Sequence, residues 1–214
     1  MKKTVKKTKP VKKPAAKPAE RKNFNIVIVG TGGQGLITLL DILARASQNQ
    51  GFDTKTSELH GLSQRGGSVE VHIRFGSSVR SPLVAKSSAD LILGLEMQEC
   101  LKAAYFAGPD TAYLINQNIT PIPGKEPLAQ EAIVKNLKKY TKKIEVVAAN
   151  ELCQKELGTP VVSGIFLLSL AVFKKMIPLE PQTMLEAIKQ TVAPKYLELN
   201  VKTFELAQKY AENK

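Results

Sequence analysis

The feature that most constrains the fold is an apolar run that ends in a glycine-rich turn, with a helical pattern directly behind it. Residues 24–29 have the sequence Phe-Asn-Ile-Val-Ile-Val, which is typical of a strand buried on both faces. Residues 30–35 follow as Gly-Thr-Gly-Gly-Gln-Gly, and residues 36–50 place apolar side chains at helical spacing up to Gly51, a residue suited to closing a helix. This order of strand, tight turn and helix opens many α/β domains.

The rest of the chain continues to alternate between strand and helix patterns. Further strands are predicted at residues 53–59, 68–75, 89–94, 111–115 and 144–148. Helices are predicted at residues 97–107, 126–140, 150–157 (capped by Asn150), 162–176, 181–191 and 195–211. We therefore expect an α/β fold with three layers, α/β/α, built on a Rossmann-like, mostly parallel sheet with C-terminal helices.

One predicted strand, residues 68–75, alternates cleanly between apolar and polar side chains. Its apolar members share one face, and Glu70, His72 and Arg74 share the other. Such alternation predicts a half-exposed strand. We expect His72 to lie on a solvated or interface face, without a catalytic role.

The positive charge of the chain is concentrated at its N-terminus. Residues 1–22 hold ten Lys or Arg and one Glu, so they carry nine of the twelve net positive charges. Their few large apolar side chains cannot offset the entropy cost of ordering. We predict a disordered basic tail at residues 1–22 and one folded domain at residues 23–214. The tail is either a polycation for nucleic acid or an acidic surface, or a solubilising extension; nucleic acid is expected only through it.

Cysteine usage and hydropathy exclude several classes of protein. Cys100 and Cys153 are far apart and form no Cys-x-x-Cys pair, so we predict no metal or iron–sulfur site in this chain. Two lone thiols are typical of a reduced, cytoplasmic protein. The longest apolar stretch, residues 161–172, is too short to span a membrane, and no apolar segment of a secretory signal follows the basic N-terminus.

The first glycine-rich turn leaves three interpretations open. Gly30, Gly32 and Gly35 match the pattern G-x-G-x-x-G at the start of a helix, where unpaired N–H groups attract anions. Glu58 ends the second predicted strand, where a dinucleotide-binding fold places its ribose carboxylate. The turn is therefore an NAD(P) site, a site for another phosphate ligand, or a tight turn whose glycines only permit close packing.

A second glycine-rich segment, residues 58–68, makes the pair more specific. It has the sequence Glu-Leu-His-Gly-Leu-Ser-Gln-Arg-Gly-Gly-Ser, which neither helix nor strand formation requires. Together with Gly32–Gly35, residues 69–76 and Ser81–Leu83, it resembles the gamma subunit or domain of the 2-oxoacid:ferredoxin oxidoreductases. The resemblance covers about Asn23 to Ala211 and is closest to the small subunit of the indolepyruvate branch.

The resemblance implies an oxidoreductase subunit that is active only with a larger partner subunit. Enzymes of this family oxidatively decarboxylate a 2-oxoacid, here an aryl 2-oxoacid such as indolepyruvate, and deliver the acyl group to coenzyme A. The partner would carry thiamine diphosphate and the iron–sulfur clusters, and ferredoxin would accept electrons through the complex. The alternatives are a gamma subunit of a pyruvate or branched-chain 2-oxoacid enzyme, a free-standing NAD(P)-binding oxidoreductase, and a basic-tailed binding protein.

The two glycine-rich segments are the expected coenzyme A surface at the subunit interface. Its residues are Gly30, Gly32, Gly33, Gln34, Gly35, Ser63, Gln64, Arg65, Gly66, Gly67 and Ser68. Arg65 offers a planar charged fork suited to phosphate or, equally, to a partner chain. His60 is an interface or orienting residue, or a proton carrier, and no other catalytic residue is assigned. Glu96 contacts a partner or favourably begins a helix.

Overall fold

The computed structural model describes residues 23–61, 66–121, 124 and 126–213. Residues 1–22 lie outside these ranges, so both the basic tail and the domain boundary behind it stay predictions. The strands are β1 (Phe24–Thr31), β2 (Asp53–His60), β3 (Ser68–Gly76), β4 (Leu91–Gly94), β5 (Ala112–Asn116) and β6 (Ile144–Val147). The α-helices are α1 (Leu36–Asn49), α2 (Met97–Lys102), α3 (Gln130–Leu137), α4 (Ala149–Leu157), α5 (Ser163–Phe173), α6 (Pro181–Thr191) and α7 (Leu197–Glu212). Short 3₁₀ helices span Ala103–Phe106, Pro160–Val162 and Pro194–Tyr196.

The described strands form one sheet in the order β2-β3-β1-β4-β5-β6. Strands β1, β4, β5 and β6 are parallel neighbours, whereas β3 runs antiparallel to both β2 and β1. Every strand except β3 therefore points the same way. The carboxyl ends of β1, β4 and β5 lie along one edge of the sheet, together with the start of β3. We call this the carboxyl edge; it is where α/β proteins bind ligands.

Helices cover both faces of the sheet. Successive residues of β1 face opposite layers, because side chains alternate along a strand. Ile26 and Ile28 pack in a core with residues of α1, α5 and α7, whereas Val27 and Val29 pack with residues of α2 and α3. The predicted three-layer α/β/α fold is confirmed.

The longest apolar stretch of the sequence forms the central helix of one layer. Helix α5 is buried along most of its length, including Phe166, Leu167 and Leu168. Gly164 lets it approach α1 closely, since a Cβ atom there would lie 3.1 Å from Leu39 Cδ1. Burial against other helices explains the apolar composition. Among the helices described, none is both long and apolar enough to cross a bilayer.

Three predicted helices are shorter than expected. The helix predicted at residues 162–176 covers only Ser163–Phe173, and Lys175 beyond its end has a left-handed φ of 56°. The prediction for residues 126–140 was too long because Glu126 precedes Pro127, which disfavours helical geometry at Glu126; α3 begins at Gln130 and ends at Leu137. The helix predicted at residues 97–107 changes after Lys102 into the 3₁₀ turn Ala103–Phe106.

Candidate functional site

The two glycine-rich segments meet at the carboxyl edge of the sheet. Thr31, the last residue of β1, is the register partner of Ser68, the first residue of β3. One residue further, the N–H group of Gly32 donates to the carbonyl oxygen of Gly67 at 2.9 Å. The structure therefore places the predicted residues Gly30–Gly35 next to Gly66–Ser68.

The first turn is closed by the side chain of Gln34. The Thr31 N–H donates to Gln34 Oε1 at 2.7 Å, and the Gln34 N–H donates to the Thr31 carbonyl oxygen at 3.2 Å. Gln34 Nε2 donates to the Leu95 carbonyl oxygen at 3.4 Å. Gln34, which was predicted to face a ligand, thus holds the turn in shape.

The glycines of this turn are needed for different physical reasons. Gly30 is required for packing, because a Cβ atom there would press against Gln34 and lie 3.1 Å from Leu95 Cβ. Gly33 and Gly35 have φ angles of 99° and 77°, in the left-handed region that favours glycine. Their side-chain positions are open, with no heavy atom within 4 Å of an added Cβ.

Backbone donors remain available at the open side of the turn. No hydrogen bond within the described part of the chain engages the N–H groups of Gly33 and Gly35. Helix α1 begins at the next residue, has no side-chain cap and has no acidic residue in its first turn. Its N-terminal N–H groups and positive dipole end therefore favour an anion here.

Ser68, another predicted ligand residue, points into the protein. Its hydroxyl group donates to Glu99 Oε2, and Glu99 Oε1 accepts from Lys102 Nζ at 2.6 Å. Glu99 is only 7% exposed, so this contact holds the start of β3 against α2. Glu99 was not among the residues predicted for the site. Its place in the first turn of a predicted helix, directly after a strand at the carboxyl edge, was a usable signal.

Glu96 is the N-cap residue of α2, which agrees with one of the two roles predicted for it from the sequence. Its Oε2 atom accepts from the Glu99 N–H at 2.8 Å, and its Oε1 atom accepts from the Thr120 N–H at 3.0 Å. Glu96 is 1% exposed. One carboxyl group thus joins the N-terminus of α2 to the segment that follows β5.

A cluster of amides extends the site along the carboxyl edge. Asn116 Nδ2 donates to Asn150 Oδ1 at 2.8 Å, and Asn150 Nδ2 donates to Asn118 Oδ1 at 3.2 Å. Asn150 was predicted to cap α4, but that prediction is wrong: α4 begins one residue earlier, after Ala148, and Asn150 bonds across to the end of β5. The strand-end position of Asn116 and Asn118 was the signal for this cluster.

His60 and Glu58 form an exposed pair at the end of the edge strand β2. His60 Nε2 lies 3.1 Å from Glu58 Oε2, and 52% of the His60 side chain is exposed. Strand β3 lies between β2 and β1. Glu58 on β2 is therefore two strand spacings, roughly 10 Å, from β1, the strand that leads into the first turn. A dinucleotide-binding fold keeps these strands adjacent. This order argues against Glu58 as a ribose ligand of an NAD(P) site.

The prediction that His72 lies on a solvated or interface face is wrong. His72 is 1% exposed, and its ring makes an edge contact with Phe106 at 4.9 Å between centroids. The Val84 N–H donates to His72 Nδ1 at 3.1 Å, which fixes the tautomer with hydrogen on Nε2, and Nε2 donates to Glu70 Oε1 at 2.8 Å. The polar face of β3, which the alternating pattern predicted to be exposed, is covered by the segment that holds Val84 and by the 3₁₀ turn Ala103–Phe106.

Three predicted binding residues, Ser63, Gln64 and Arg65, lie outside the described residues. The roles assigned to them remain predictions. The flanking residues Gly61 and Gly66 are described, and the Gly61 N–H donates to the Ser68 carbonyl oxygen at 3.0 Å. The segment that holds Arg65 therefore begins beside the start of β3 and ends at Gly66 and Gly67, next to the first turn.

The thiols give a first testable prediction. Burial raises the pKa of Cys153 to about 11, and burial with the nearby carboxyl groups of Glu96 and Glu99 raises the pKa of Cys100 further. A raised pKa keeps the thiol protonated, and the thiolate is the reactive form. At about pH 8, we expect neither thiol of the native chain to react with Ellman's reagent within minutes, whereas both react in guanidinium chloride. Rapid reaction of one native thiol would contradict the burial described here.

Together these features define a class of protein. The domain is an α/β fold with backbone donors at the carboxyl edge, supported from behind by buried carboxyl and amide side chains. Within the described ranges, no group of three or more His, Cys, Asp or Glu could hold a metal ion. The free backbone donors at this edge suit an anionic ligand.

The chain belongs to the pyruvate ferredoxin/flavodoxin oxidoreductase family, whose sequence pattern matches residues 25–210. It is 35% identical to the indolepyruvate oxidoreductase subunit IorB of Archaeoglobus fulgidus over 193 residues, 87% of this chain and 94% of that protein. It is 33% identical to the same subunit of Thermococcus kodakarensis, over 89% of this chain and 97% of that protein. The resemblance identified in the sequence is confirmed.

Solved structures support the fold. The gamma subunit of a keto/oxoacid ferredoxin oxidoreductase from Geobacter sulfurreducens matches 89% of this chain and 99% of its own, with a TM-score of 0.67 and 20% identity. The 2-oxoglutarate:ferredoxin oxidoreductase of Magnetococcus marinus, solved with 2-oxoglutarate, coenzyme A and succinyl-CoA, matches 91% of this chain but 32% of its own, with a TM-score of 0.68 and 17% identity. This chain thus has the fold of one part of a larger enzyme.

Proposed function

We propose that this chain is the small subunit of an indolepyruvate-type 2-oxoacid ferredoxin oxidoreductase. Identity above 30% over nearly the full length of two subunits of that name supports the type. The match to a common gamma subunit of pyruvate and ketoisovalerate oxidoreductases of Pyrococcus furiosus is lower, at 26% identity. The 2-oxoacid is therefore an aryl 2-oxoacid rather than pyruvate or a branched-chain acid.

The reaction would be the oxidative decarboxylation of the 2-oxoacid. Cleavage of the bond between the carboxylate and the oxo carbon releases carbon dioxide, and the remaining acyl group forms a thioester with coenzyme A. Two electrons leave the substrate and reduce two ferredoxins by one electron each, and one proton is released. Thiamine diphosphate, when bound to the partner, supplies the carbanion chemistry.

The redox centres belong to a larger partner subunit in this proposal. Iron–sulfur clusters need sets of cysteine thiolates. This chain has two cysteines, Cys100 and Cys153, and both are buried and protonated in different parts of the fold. Neither is available as a cluster ligand, so electron transfer requires the partner.

The main support for coenzyme A binding by this chain is the set of free backbone N–H groups at the first glycine-rich turn. The N–H groups of Gly33 and Gly35 and the N-terminus of α1 suit a phosphate group, and coenzyme A brings a pyrophosphate and a 3′-phosphate. The segment that holds Arg65 ends beside these donors, at Gly66 and Gly67. A guanidinium group there would bind a second phosphate or a partner carboxylate.

Arg65→Ala in the complex with the larger subunit tests the proposal. Loss of a charged hydrogen bond to phosphate would weaken coenzyme A binding by roughly 1.5–3 kcal/mol, about a 10-fold to 150-fold rise in the KM for coenzyme A, with little change in the KM for indolepyruvate. Steady-state kinetics with coenzyme A, indolepyruvate and pyruvate as varied substrates measures this.

Arg80→Ala is the matched control. Arg80 is exposed and follows β3 at the opposite end of that strand from Ser68, so its removal should leave both KM values unchanged. A weakened complex whose assembled fraction keeps an unchanged KM for coenzyme A would assign Arg65 to the subunit interface. Tight binding of NADH without coenzyme A binding would refute the proposed function.

A further inference from the structure

The edge of the sheet opposite to the carboxyl edge carries a group of exposed lysine and tyrosine side chains. Strands β4, β5 and β6 begin at this edge, and the segments that precede these strands hold the group. We call the group the basic strip; its members are Lys86, Tyr105, Lys138, Lys139, Tyr140 and Lys142. None of them belongs to the candidate site, which lies at the other end of the strands.

Hydrogen bonds join the three segments of the basic strip into one surface. The Ser87 N–H donates to the Tyr105 carbonyl oxygen at 3.1 Å, and Lys86 Nζ lies 5.9 Å from the centre of the Tyr105 ring. Thr141 Oγ1 donates to the Pro109 carbonyl oxygen at 3.2 Å. The turn before β6 therefore contacts the segment before β5, which in turn contacts the loop before β4.

The positive charge of the basic strip is not compensated by acidic side chains. Within the described part of the chain, no ion pair engages any of its four lysines. Two carboxylates close to the strip pair with other lysines: Asp110 with Lys143 at 3.0 Å, and Glu145 with Lys174 at 2.7 Å. Such a surface attracts a polyanion.

Two exposed aromatic rings lie among these lysines. Tyr105 is 58% exposed and Tyr140 is 47% exposed. The Tyr105 ring makes an edge contact with Phe106, with 5.1 Å between the ring centroids, which holds it at the surface. In sites for single-stranded nucleic acid, positive side chains contact the phosphates and bases stack on aromatic rings. An acidic protein surface would use the charges but not the rings.

The basic N-terminal segment enters the domain at the same edge. Residues 1–22 carry nine net positive charges and contain no aromatic residue. Asn25, at the start of β1, donates from Nδ2 to the Ser88 carbonyl oxygen at 2.9 Å and from its N–H group to Asp90 Oδ2 at 2.8 Å. The segment therefore joins the domain next to the loop that holds Lys86, and the tyrosines of the basic strip supply the stacking surface that residues 1–22 lack.

We infer that the basic strip binds single-stranded nucleic acid. Its lysines would contact phosphates, and bases would stack on Tyr105 and Tyr140. Stacking accepts every base, so we expect little sequence preference. This inference extends the contact predicted for residues 1–22 to the folded domain. It is independent of the proposed function, because the basic strip and the candidate site lie at opposite edges of the sheet.

Fluorescence anisotropy of the full chain with labelled oligouridylate and oligothymidylate of about 20 nucleotides tests the inference. In about 0.1 M NaCl, we expect a Kd of roughly 1–100 μM that rises steeply with added salt. The tighter of the two oligomers identifies RNA or DNA as the preferred ligand. Absence of binding would overturn the inference. Equally tight binding of polyglutamate or of vesicles containing phosphatidylserine would overturn it in favour of an acidic protein or a membrane.

Tyrosine variants separate stacking from charge. Tyr105→Leu and Tyr140→Leu each remove a ring without changing the charge, so each should weaken oligomer binding roughly fivefold to 150-fold. Tyr140→Phe keeps the ring and should bind like the unchanged chain. Thermal melting shows whether each variant is folded. Unchanged affinity in both folded leucine variants would refute stacking on the basic strip.

A triple lysine variant tests the charges of the basic strip. Lys138→Gln, Lys139→Gln and Lys142→Gln together remove three charges. If these lysines contact phosphates, the slope of log K against log salt concentration should become shallower by about 2, since each phosphate contact to a single strand contributes about 0.7. An unchanged slope would show that these lysines do not contact the oligomer.

The matched control removes the same number of charges from the other side of the sheet. Lys155→Gln, Lys189→Gln and Lys209→Gln change exposed residues of α4, α6 and α7. This control should keep the affinity and the salt dependence of the unchanged chain. Equal effects of the two triple variants would show that binding follows net charge alone, and would refute the assignment to the basic strip.

Discussion

Replacing Gly94 with alanine is expected to destabilise the folded chain by roughly 2–4 kcal/mol, at the upper end for an added methyl group. Gly94 ends β4, is buried, and lies next to Cys100 of α2. A Cβ atom there would overlap with Cys100 Sγ, while the next heavy atom, Ile115 Cγ2, lies 3.5 Å away. Cys100 Sγ is therefore the one atom that the added methyl group would overlap. Urea unfolding of the purified chain, followed by circular dichroism, measures the cost.

Cys100→Ala is the matched control for this prediction, because it removes the overlapping sulfur atom. Alone, it should cost roughly 1–2 kcal/mol for the buried sulfur and its contact with the Glu96 carbonyl oxygen. Combined with Gly94→Ala, it should restore stability relative to Gly94→Ala alone, since the new methyl group occupies the vacated space. Simple addition of the two destabilising effects would show that the overlap is not the cause.

The local elements could be predicted from the sequence, but the order of the strands could not. The apolar run of β1, the turn after it and the helix α1 follow from composition and spacing within a short segment. The insertion of β3 between β2 and β1 depends on pairing over whole strands, from Phe24 with Phe75 to Thr31 with Ser68. Neither partner's local pattern specifies that choice, because the same alternation suits an edge or a central strand.

His72 shows why burial was harder to predict than strand position. The alternating pattern correctly placed His72 on the face of β3 opposite to the face that holds Val71 and Ile73. Its ring is buried by Phe106 and by the segment that holds Val84, which come from later parts of the chain. A half-polar strand face indicates solvent only when nothing else in the fold covers it.

The parts of the candidate site that consist of consecutive residues could be predicted from the sequence. The contacts between residues far apart in the sequence could not. Glycine conformation and the start of α1 are properties of a few consecutive residues, so the first turn was found. The bonds from Ser68 to Glu99 and from Asn116 to Asn150 join residues far apart in sequence. Polar residues after each strand indicated the edge of the sheet, but not which side chains would pair there.

Replacing Glu96 with alanine should cost roughly 3–5 kcal/mol, because it leaves one buried and one partly buried N–H group without an acceptor and removes the cap of α2. The lost acceptors serve the N–H groups of Glu99 and Thr120. Loosening of α2 would also weaken the contact between Glu99 and Ser68 at the start of β3. We therefore expect a fall in melting temperature of roughly 6–20 °C, measured by differential scanning calorimetry.

Glu96→Gln separates the two hydrogen bonds from the volume of the side chain. Glutamine keeps the size and one carbonyl acceptor, but its amide N–H₂ group faces the second backbone N–H, so about half of the cost should remain. Glu205→Ala, an exposed change on α7, should alter stability by less than about 0.5 kcal/mol. If Glu96→Gln and Glu96→Ala were equally destabilising, filling of the space would not matter and both hydrogen bonds would act as one unit. If neither variant were destabilised, the carboxyl group would not connect α2 to the segment after β5, and the supported carboxyl edge described above would be wrong.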